Sequence, residues 1–400
     1  METVIGRGLP QDRCAALPGF RSRIAAALKG IRTWPLLQGW EWVLVTFVFS
    51  RLVLFAVMYL ARLEFGRGQY WHPGGVFSVF FQFDAELWYI EIAREGYTYS
   101  PAIPSSMGFY PFFPMLIKAA SPLFSDIRVA ALFVSHVSFL IGALLLNALI
   151  NVDYKDQRVN RATMLFLMFS PVSFFFSHAY SESTFLALAA GAFLAALHQR
   201  WLIACLCGMC LSATRNIGVV IALPLFIEYL RYNWRAGFSW KPLFHPRVLL
   251  FGLVPLGLIL FLSYGYWKFG DFFAYFKATA VWGRTLTTPM ETIHNAESLP
   301  VFLRWSDGGV FAMGALIWLG AIFARIRLSY LVWAAILLTI YICGSSLEAV
   351  PRYISVVFPL FLTLGLASVR WPQLSLPLLG GSIALLVLNT ILSAAGFWIT

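Results

Sequence analysis

Three acidic residues, Asp84, Glu86 and Glu91, interrupt an otherwise apolar stretch that follows the first long hydrophobic segment of the chain. The apolar positions after Asp84 predict an amphipathic helix that lies in a membrane interface. There Asp84 can act as a general base that takes a proton from a substrate hydroxyl, or as the N-cap of that helix. The spacing alone leaves both interpretations open. Asp84 and Glu86 can also bind a divalent cation, although two carboxylates are a weak ligand set.

A second polar cluster separates two apolar segments, at residues 170–183, where several hydroxyl side chains surround His178 and Glu182. Hydroxyl, imidazole and carboxylate groups gathered at a helix end can bind the hydroxyls of a sugar. The alternative is structural, because Ser181 or Ser183 can cap the helix that follows.

Two arginines lie where apolar segments meet polar turns. Arg215 stands between two short apolar segments, and Arg352 follows a tight turn that begins at Glu348. An arginine at membrane depth is a functional candidate, and a phosphate is its natural partner. Alternatively, Arg215 extends to lipid headgroups and Arg352 pairs with Glu348.

A further stretch, residues 270–284, combines aromatic side chains with Asp271, Lys277, Trp282 and Arg284. This composition suits stacking on the face of a sugar or lying along the membrane interface. The six histidines show no metal-ligand spacing, so we predict no histidine-based metal site.

The elements that position these residues are predicted from composition and hydropathy. Of the 400 residues, 60% are hydrophobic and 12% are charged, and the mean hydropathy is +0.76. Soluble globular proteins have about 25% charged residues, so lipid must be the solvent for most of this chain. We therefore predict an all-α polytopic membrane protein. About eleven segments are apolar and long enough to be transmembrane helices, at 41–61, 127–150, 162–178, 183–198, 201–214, 216–230, 248–268, 308–324, 328–347, 353–369 and 376–398.

The predicted organisation is a basic cytoplasmic segment, residues 1–40, and a single membrane domain, residues 41–400. Two long extracytoplasmic loops interrupt that domain, at 62–126 and 269–307. Within the first loop, residues 109–124 are apolar but rich in proline, which predicts a partly immersed helix.

Charge predicts the orientation. With a cytoplasmic N-terminus, most of the 29 Lys and Arg residues lie in cytoplasmic segments, as the positive-inside rule requires. Every candidate residue named above then lies on the extracytoplasmic side. The basic residues are scattered rather than gathered on one face, so we predict contact with membrane lipid and no nucleic-acid partner.

The motifs, taken in order, resemble those of a known family. Phe83–Tyr97 followed by Gly108–Pro114 resembles the WDAxWYxxIAxxGY … AFFPLYP signature of PIG-V-like mannosyltransferases. Three later blocks of that family are similar to residues 170–183, 213–218 and 270–284, and a fourth to Arg352-Tyr353. The resemblance covers residues from about 41 to 370. It departs from the family at two points, because Phe83 replaces a tryptophan and His178 stands where a small residue is common.

The resemblance implies a GT-C-type membrane glycosyltransferase, and a bacterial member located in the inner membrane. It implies a polyprenyl-phosphate sugar donor, polyprenyl-phosphomannose, and a lipid-linked or cell-envelope glycan acceptor. Matched residue by residue, the catalytic acid of such enzymes is Asp84. The resemblance implies no cofactor. Binding of a divalent cation by Asp84 and Glu86 remains a weak alternative. The residues assigned to substrate binding are Arg352, Arg215, Arg284, Glu182, His178, Asp271, Trp282 and Glu86.

Two other classes of protein are compatible with this composition. A transporter or flippase of a polyprenyl-linked lipid would have the same composition, but alternating access favours ionisable residues near the membrane midplane rather than at one face. A non-catalytic subunit with the same fold is the other alternative, and the presence of Asp84 argues against it.

Overall fold

A computed structural model of the chain describes residues 38–65, 76–81, 85–235, 237–283 and 285–397. Within these ranges the chain is helical and has no strand, only an isolated bridge between Leu286 and Gly344. The α-helices are α1 Trp40–Glu64, α2 Glu91–Glu95, α3 Phe112–Ala120, α4 Ile127–Asp153, α5 Gln157–Met168, α6 Glu182–Leu197, α7 Trp201–Ser212, α8 Ala222–Asn233, α9 Leu256–Phe269, α10 Ala274–Ala280, α11 Pro289–Ala296, α12 Val301–Phe323, α13 Leu328–Ile342, α14 Val350–Ile354, α15 Phe358–Arg370 and α16 Pro372–Ala394.

Short 3₁₀ and π turns continue or link these helices. A π-helical turn leads directly into α2, so the predicted interfacial helix after Asp84 forms as two consecutive pieces. The 3₁₀ segments are Val76–Phe81, Ser106–Gly108, Ser121–Leu123, Ser173–Ser177, Asn216–Ile221, Lys241–Phe244 and Pro246–Leu253, and the π-helical turn is Ala85–Ile90.

Each of the eleven predicted apolar segments overlaps an α-helix, although the segments 162–178, 248–268 and 353–369 are interrupted. Four helices of the described chain are long and apolar enough to cross a membrane: α1, α4, α12 from Leu303 and α16. The 3₁₀ segment Pro246–Leu253 and α9 make a fifth span if they are taken together, although they meet at an angle of 46°. The number of crossings therefore stays a prediction.

The prediction of a continuous helix fails most clearly in the segment 162–178. The segment 162–178 was expected to be one helix, but α5 ends at Met168 and a 3₁₀ turn follows from Ser173. The physical reason is Pro171, which disfavours the helical conformation of the residue before it and donates no backbone hydrogen bond. This break turns the chain toward the polar cluster that opens α6.

Arg51 in α1 holds that break in place. Its guanidinium is buried and donates hydrogen bonds to the carbonyl oxygens of Met168 and Ser173 at 3.1 Å each, and to the hydroxyls of Ser173 and Ser177 at 2.7 Å each. A cation at the C-terminal end of α5 also interacts favourably with the helix dipole. Arg51 therefore fixes the position of the turn that leads into α6.

Close helix contacts complete the bundle. A Cβ atom at Gly365 in α15 would lie 2.2 Å from the Thr163 hydroxyl oxygen and 2.9 Å from the Thr163 nitrogen in α5. Only glycine permits this approach, and small residues at helix crossings are typical of membrane proteins.

An ionic cluster lies at the N-terminal end of α13, where Arg327 precedes the helix. Arg327 donates to Asp153 at the end of α4 (3.0 Å) and to Glu228 in α8 (3.1 Å). The Tyr330 hydroxyl donates to Asp153, and the Ser329 hydroxyl donates to Glu228. This network joins three helices at the end that the charge pattern assigns to the cytoplasm.

Candidate active site

The centre of the candidate site is Glu182, the first residue of α6, whose side chain is completely buried. Its Oε1 atom accepts a hydrogen bond from Arg215 Nη1 at 2.7 Å and lies 2.9 Å from Arg352 Nε. Arg215 follows α7 and Arg352 lies in α14, so three separate parts of the chain meet here.

Tyrosine rings hold both guanidinium groups. The Arg352 guanidinium carbon lies 4.9 Å from the ring centre of Tyr180, and that of Arg215 lies 4.6 Å from the ring centre of Tyr353. The Tyr341 ring lies against Tyr353, with 5.3 Å between ring centres. Planar guanidinium groups stack favourably on aromatic faces, so these contacts restrict the directions in which the remaining N–H groups point.

Arg215 is charged in this setting. Burial lowers the pKa of its guanidinium, but the carboxylate of Glu182, with Tyr353 and Tyr341 nearby, outweighs that effect and raises the pKa above its usual value. The alternative that Arg215 extends to lipid headgroups is wrong, because only 13% of its side chain is exposed and it pairs with Glu182.

The first loop packs against the turn before Glu182 on both sides of residue 84. The backbone N–H of Ala179 donates to the carbonyl of Phe80 at 3.0 Å, and the hydroxyls of Tyr89 and Ser181 lie 3.2 Å apart. Burial raises the pKa of Tyr89 to about 12, so this hydroxyl stays protonated. Ser181 occupies the N-cap position of α6 without a side-chain capping bond.

Asp84 and Arg284 lie outside the described residues, and the side chain of Glu86 is likewise not described. Their predicted roles stay predictions. Ala85, the next residue after Asp84, is buried and begins the turn that carries Tyr89. Among the described residues, no group of three or more His, Cys, Asp or Glu side chains is arranged to hold a metal ion.

His178 is buried and contacts the protein interior rather than a cleft. Its Nδ1 atom lies 3.0 Å from the carbonyl oxygen of Phe174, and its ring stacks on Tyr180 at 5.5 Å between centres. His178 therefore supports the ring on which Arg352 rests, and direct contact with substrate stays a prediction.

Trp282 joins the second long loop to the first. Its ring lies edge-on to Trp88 and Phe109, each with 5.7 Å between ring centres, and those two rings stack on each other. Gly108 lies directly under the indole, because a Cβ there would be 2.4 Å from a Trp282 ring carbon. The three rings form one aromatic cluster that joins the two loops, and stacking of Trp282 on a sugar stays a prediction.

Replacing Gly108 by Ala should displace Trp282 and lower the free energy of unfolding by about 1–3 kcal/mol, the usual cost of overpacking. Thermal unfolding of the purified protein measures this change. Gly309→Ala is the matched control, since nothing lies within 4 Å of a Cβ at that position. Equal unfolding temperatures for the two variants would contradict the packing of Trp282 on Gly108.

Asp271 joins the same two loops at another position. Its carboxylate accepts hydrogen bonds from the Tyr99 hydroxyl and the Lys277 ammonium at 2.7 Å each, and from the backbone N–H of Phe273 at 3.0 Å. The bond from Lys277 is the largest cause that lowers the pKa of Asp271. The described contacts of Asp271 are thus with neighbouring loops, and its role in substrate binding stays a prediction.

The sequence interpretation assigned no role to the tyrosines of the site, Tyr89, Tyr180, Tyr341 and Tyr353. Two of them carried a usable signal, because Tyr180 is two residues from Glu182 and Tyr353 is adjacent to Arg352. Tyr341 carried none, since it lies inside an apolar helix.

The fold is similar to that of solved structures. ArnT from Cupriavidus metallidurans bound to undecaprenyl phosphate superposes with a TM-score of 0.52 at 14% identity, over 87% of this chain and 75% of ArnT. The apo state of the same protein gives 0.51 at 15% identity, over 88% and 75%. The chain has the GT-C fold.

The GT-C fold is that of membrane glycosyltransferases. The Archaeoglobus fulgidus oligosaccharyltransferase AglB, in complex with an inhibitory peptide and a dolichol-phosphate, has a TM-score of 0.49 at 13% identity, over 88% of this chain and 55% of AglB. The chain thus spans about half the length of AglB. No protein-family model and no curated protein matches the sequence, so the resemblance to PIG-V-like enzymes stays a prediction.

Proposed function

We propose that this protein is a GT-C glycosyltransferase that transfers a mannosyl residue from a polyprenyl-phosphate donor to a lipid-linked or cell-envelope glycan on the extracytoplasmic side. The observation that carries the proposal is the pair of buried arginines that share the Oε1 atom of Glu182. Two adjacent guanidiniums are suited to binding a phosphate by charge-assisted hydrogen bonds. ArnT was solved with undecaprenyl phosphate, so this fold accommodates a ligand of that class.

The proposed reaction inverts the configuration of the sugar. The acceptor oxygen attacks the anomeric carbon and loses its proton to Asp84, while the bond from that carbon to the phosphate oxygen breaks. The electron pair of that bond leaves with the polyprenyl phosphate. Arg352 and Arg215 stabilise the charge that develops on the phosphate, and in this proposal Arg284 helps them to do so.

The tyrosines prepare the arginines for that task. Because Tyr180 and Tyr353 hold the guanidinium groups in a buried site, little reorganisation is needed when charge moves to the leaving group. Electrostatic stabilisation by prepositioned groups of this kind is a large contribution to catalysis.

The direct test is transfer by the purified protein in lipid nanodiscs. Polyprenyl-phosphomannose is the donor, polyprenyl-phosphoglucose the comparison donor, and an envelope glycolipid extract the acceptor. Mass spectrometry should detect a hexose added from the mannosyl donor, and a parallel reaction with EDTA reports on the cation site at Asp84 and Glu86. Transbilayer movement of the donor without transfer would indicate a flippase instead, and binding without transfer or movement would indicate a non-catalytic subunit.

Arg352→Ala should raise the KM for the donor by about 10- to 100-fold, because hydrogen bonds to charged groups contribute about 1.5–3 kcal/mol. Arg352→Lys keeps the charge but not the planar fork, so an intermediate KM is expected. Steady-state kinetics with a fixed acceptor concentration measures both. Arg370→Ala, at the end of α15, is the control, and an unchanged donor KM in Arg352→Ala would contradict the phosphate role.

A further inference from the structure

We infer that the free oxygen of Glu182 and the hydroxyl of Tyr341 form a subsite for the hydroxyl groups of the donor sugar, beside the arginines that bind its phosphate. This inference rests on the proposed function. Glu182 then binds the sugar as well as the two arginines, and Tyr341 contacts the sugar directly.

The two oxygens of Glu182 differ in their surroundings. Oε1 lies within 2.9 Å of both arginines, whereas Oε2 is buried and has no hydrogen-bond partner in the described part of the chain. A buried carboxylate oxygen without a donor is costly, and most buried polar groups in proteins have a partner. Oε2 can therefore accept a hydrogen bond from a bound ligand.

The Tyr341 hydroxyl is a second polar group that is buried without a described partner. Only 6% of this residue is exposed, and its hydroxyl has no hydrogen-bond partner among the described residues. Its ring packs on Tyr353, the ring that carries the Arg215 guanidinium. Two orphaned polar atoms thus belong to the one cluster of arginines and tyrosines around Glu182.

The chemistry of these two atoms selects the ligand. An ionised carboxylate only accepts hydrogen bonds, while a phenol hydroxyl both donates and accepts. The phosphodiester of the donor is an anion with no proton to donate to Oε2, and the carboxylate would repel it. A sugar hydroxyl can donate to the carboxylate, and another can bond to Tyr341. The geometry therefore places a polyol on the Oε2 side and the phosphate on the guanidinium side.

The test is Tyr341→Phe, which removes one hydroxyl and keeps the ring. Purified wild type and variant in nanodiscs are titrated with two lipids, polyprenyl-phosphomannose and polyprenyl phosphate without sugar. The Kd for the mannosyl lipid should rise about fivefold, the effect of one hydrogen bond, and the Kd for the sugar-free lipid should not change. The unfolding temperature should not fall, because the deleted hydroxyl has no partner in the ligand-free protein.

Tyr229→Phe is the matched control, since its buried hydroxyl donates to the Pro242 carbonyl, away from the arginines. Monodeoxy mannosyl lipids complete a double-mutant cycle. One of them should bind the wild type about fivefold more weakly, with no further loss in Tyr341→Phe, because both changes delete the same bond.

Three results would overturn the inference. Equal Kd changes for both lipids would assign Tyr341 to the phosphate, and no change for either would mean that the two atoms bind only buried water. Both of these leave the proposed function intact. Failure of the wild type to bind either lipid would overturn the proposed function and this subsite with it.

Discussion

Replacing Asp84 by Asn should reduce sugar transfer by about 10²- to 10⁴-fold, the usual contribution of a general base. Asparagine has nearly the same shape but does not take a proton from the acceptor hydroxyl. The fold should survive, because Glu182 supplies a buried carboxylate to both Arg215 and Arg352. The measurement is initial rate at saturating donor and acceptor, with donor binding checked separately.

Glu91→Gln is the matched control for Asp84→Asn. Glu91 belongs to the same acidic stretch, but its side chain is nearly half exposed and pairs with Arg94 at 3.3 Å on the surface. This variant should keep the wild-type rate. Transfer by Asp84→Asn at the wild-type rate would refute the assignment of the general base.

Glu182→Ala should be the most destabilising substitution in the site, lowering the free energy of unfolding by about 3–5 kcal/mol. The cost arises because both buried guanidiniums lose the carboxylate that they share, and removing one partner of a buried ion pair leaves charge uncompensated. Glu182→Gln should cost less, since the amide oxygen can still accept hydrogen bonds. Thermal and denaturant unfolding in the same detergent measure the series.

Glu297→Ala provides the surface comparison, because its side chain is 67% exposed beside His294. Exposed pairs contribute about 0–1 kcal/mol, so this control should unfold close to the wild type. A Glu182→Ala protein that is as stable as the Glu297→Ala protein would show that Glu182 is not the counter-ion of the two arginines.

Local patterns predicted the helices well. Hydropathy located all eleven apolar segments, and the motifs singled out Glu182, Arg215 and Arg352 one at a time. They did not predict that these three side chains meet at one carboxylate oxygen. That contact joins the start of α6, the end of α7 and the short helix α14, and it depends on how the helices pack.

Arg51 is another side chain whose surroundings the local sequence does not predict. Its position inside the first apolar helix is visible in the sequence, but nothing nearby in the chain explains a buried cation there. Apart from the adjacent Ser50 hydroxyl, its hydrogen-bond partners lie more than 100 residues away, at the end of α5 and in the turn that follows it. A side chain whose partners come from a distant turn has no local signature.

The sequence by itself determined the solvent and the class of fold, because 60% hydrophobic residues and 12% charged residues leave lipid as the only medium for most of the chain. It also determined which charged residues are exceptional, since a charge beside an apolar segment is costly unless it has a function or a partner. Only the tertiary structure decided that Glu182 shares one oxygen between two arginines, while its other oxygen and the Tyr341 hydroxyl are buried with no hydrogen-bond partner among the described residues. The reason is physical: hydropathy depends on neighbours along the chain, whereas hydrogen bonding depends on atoms that approach within about 3 Å only after the helices have packed.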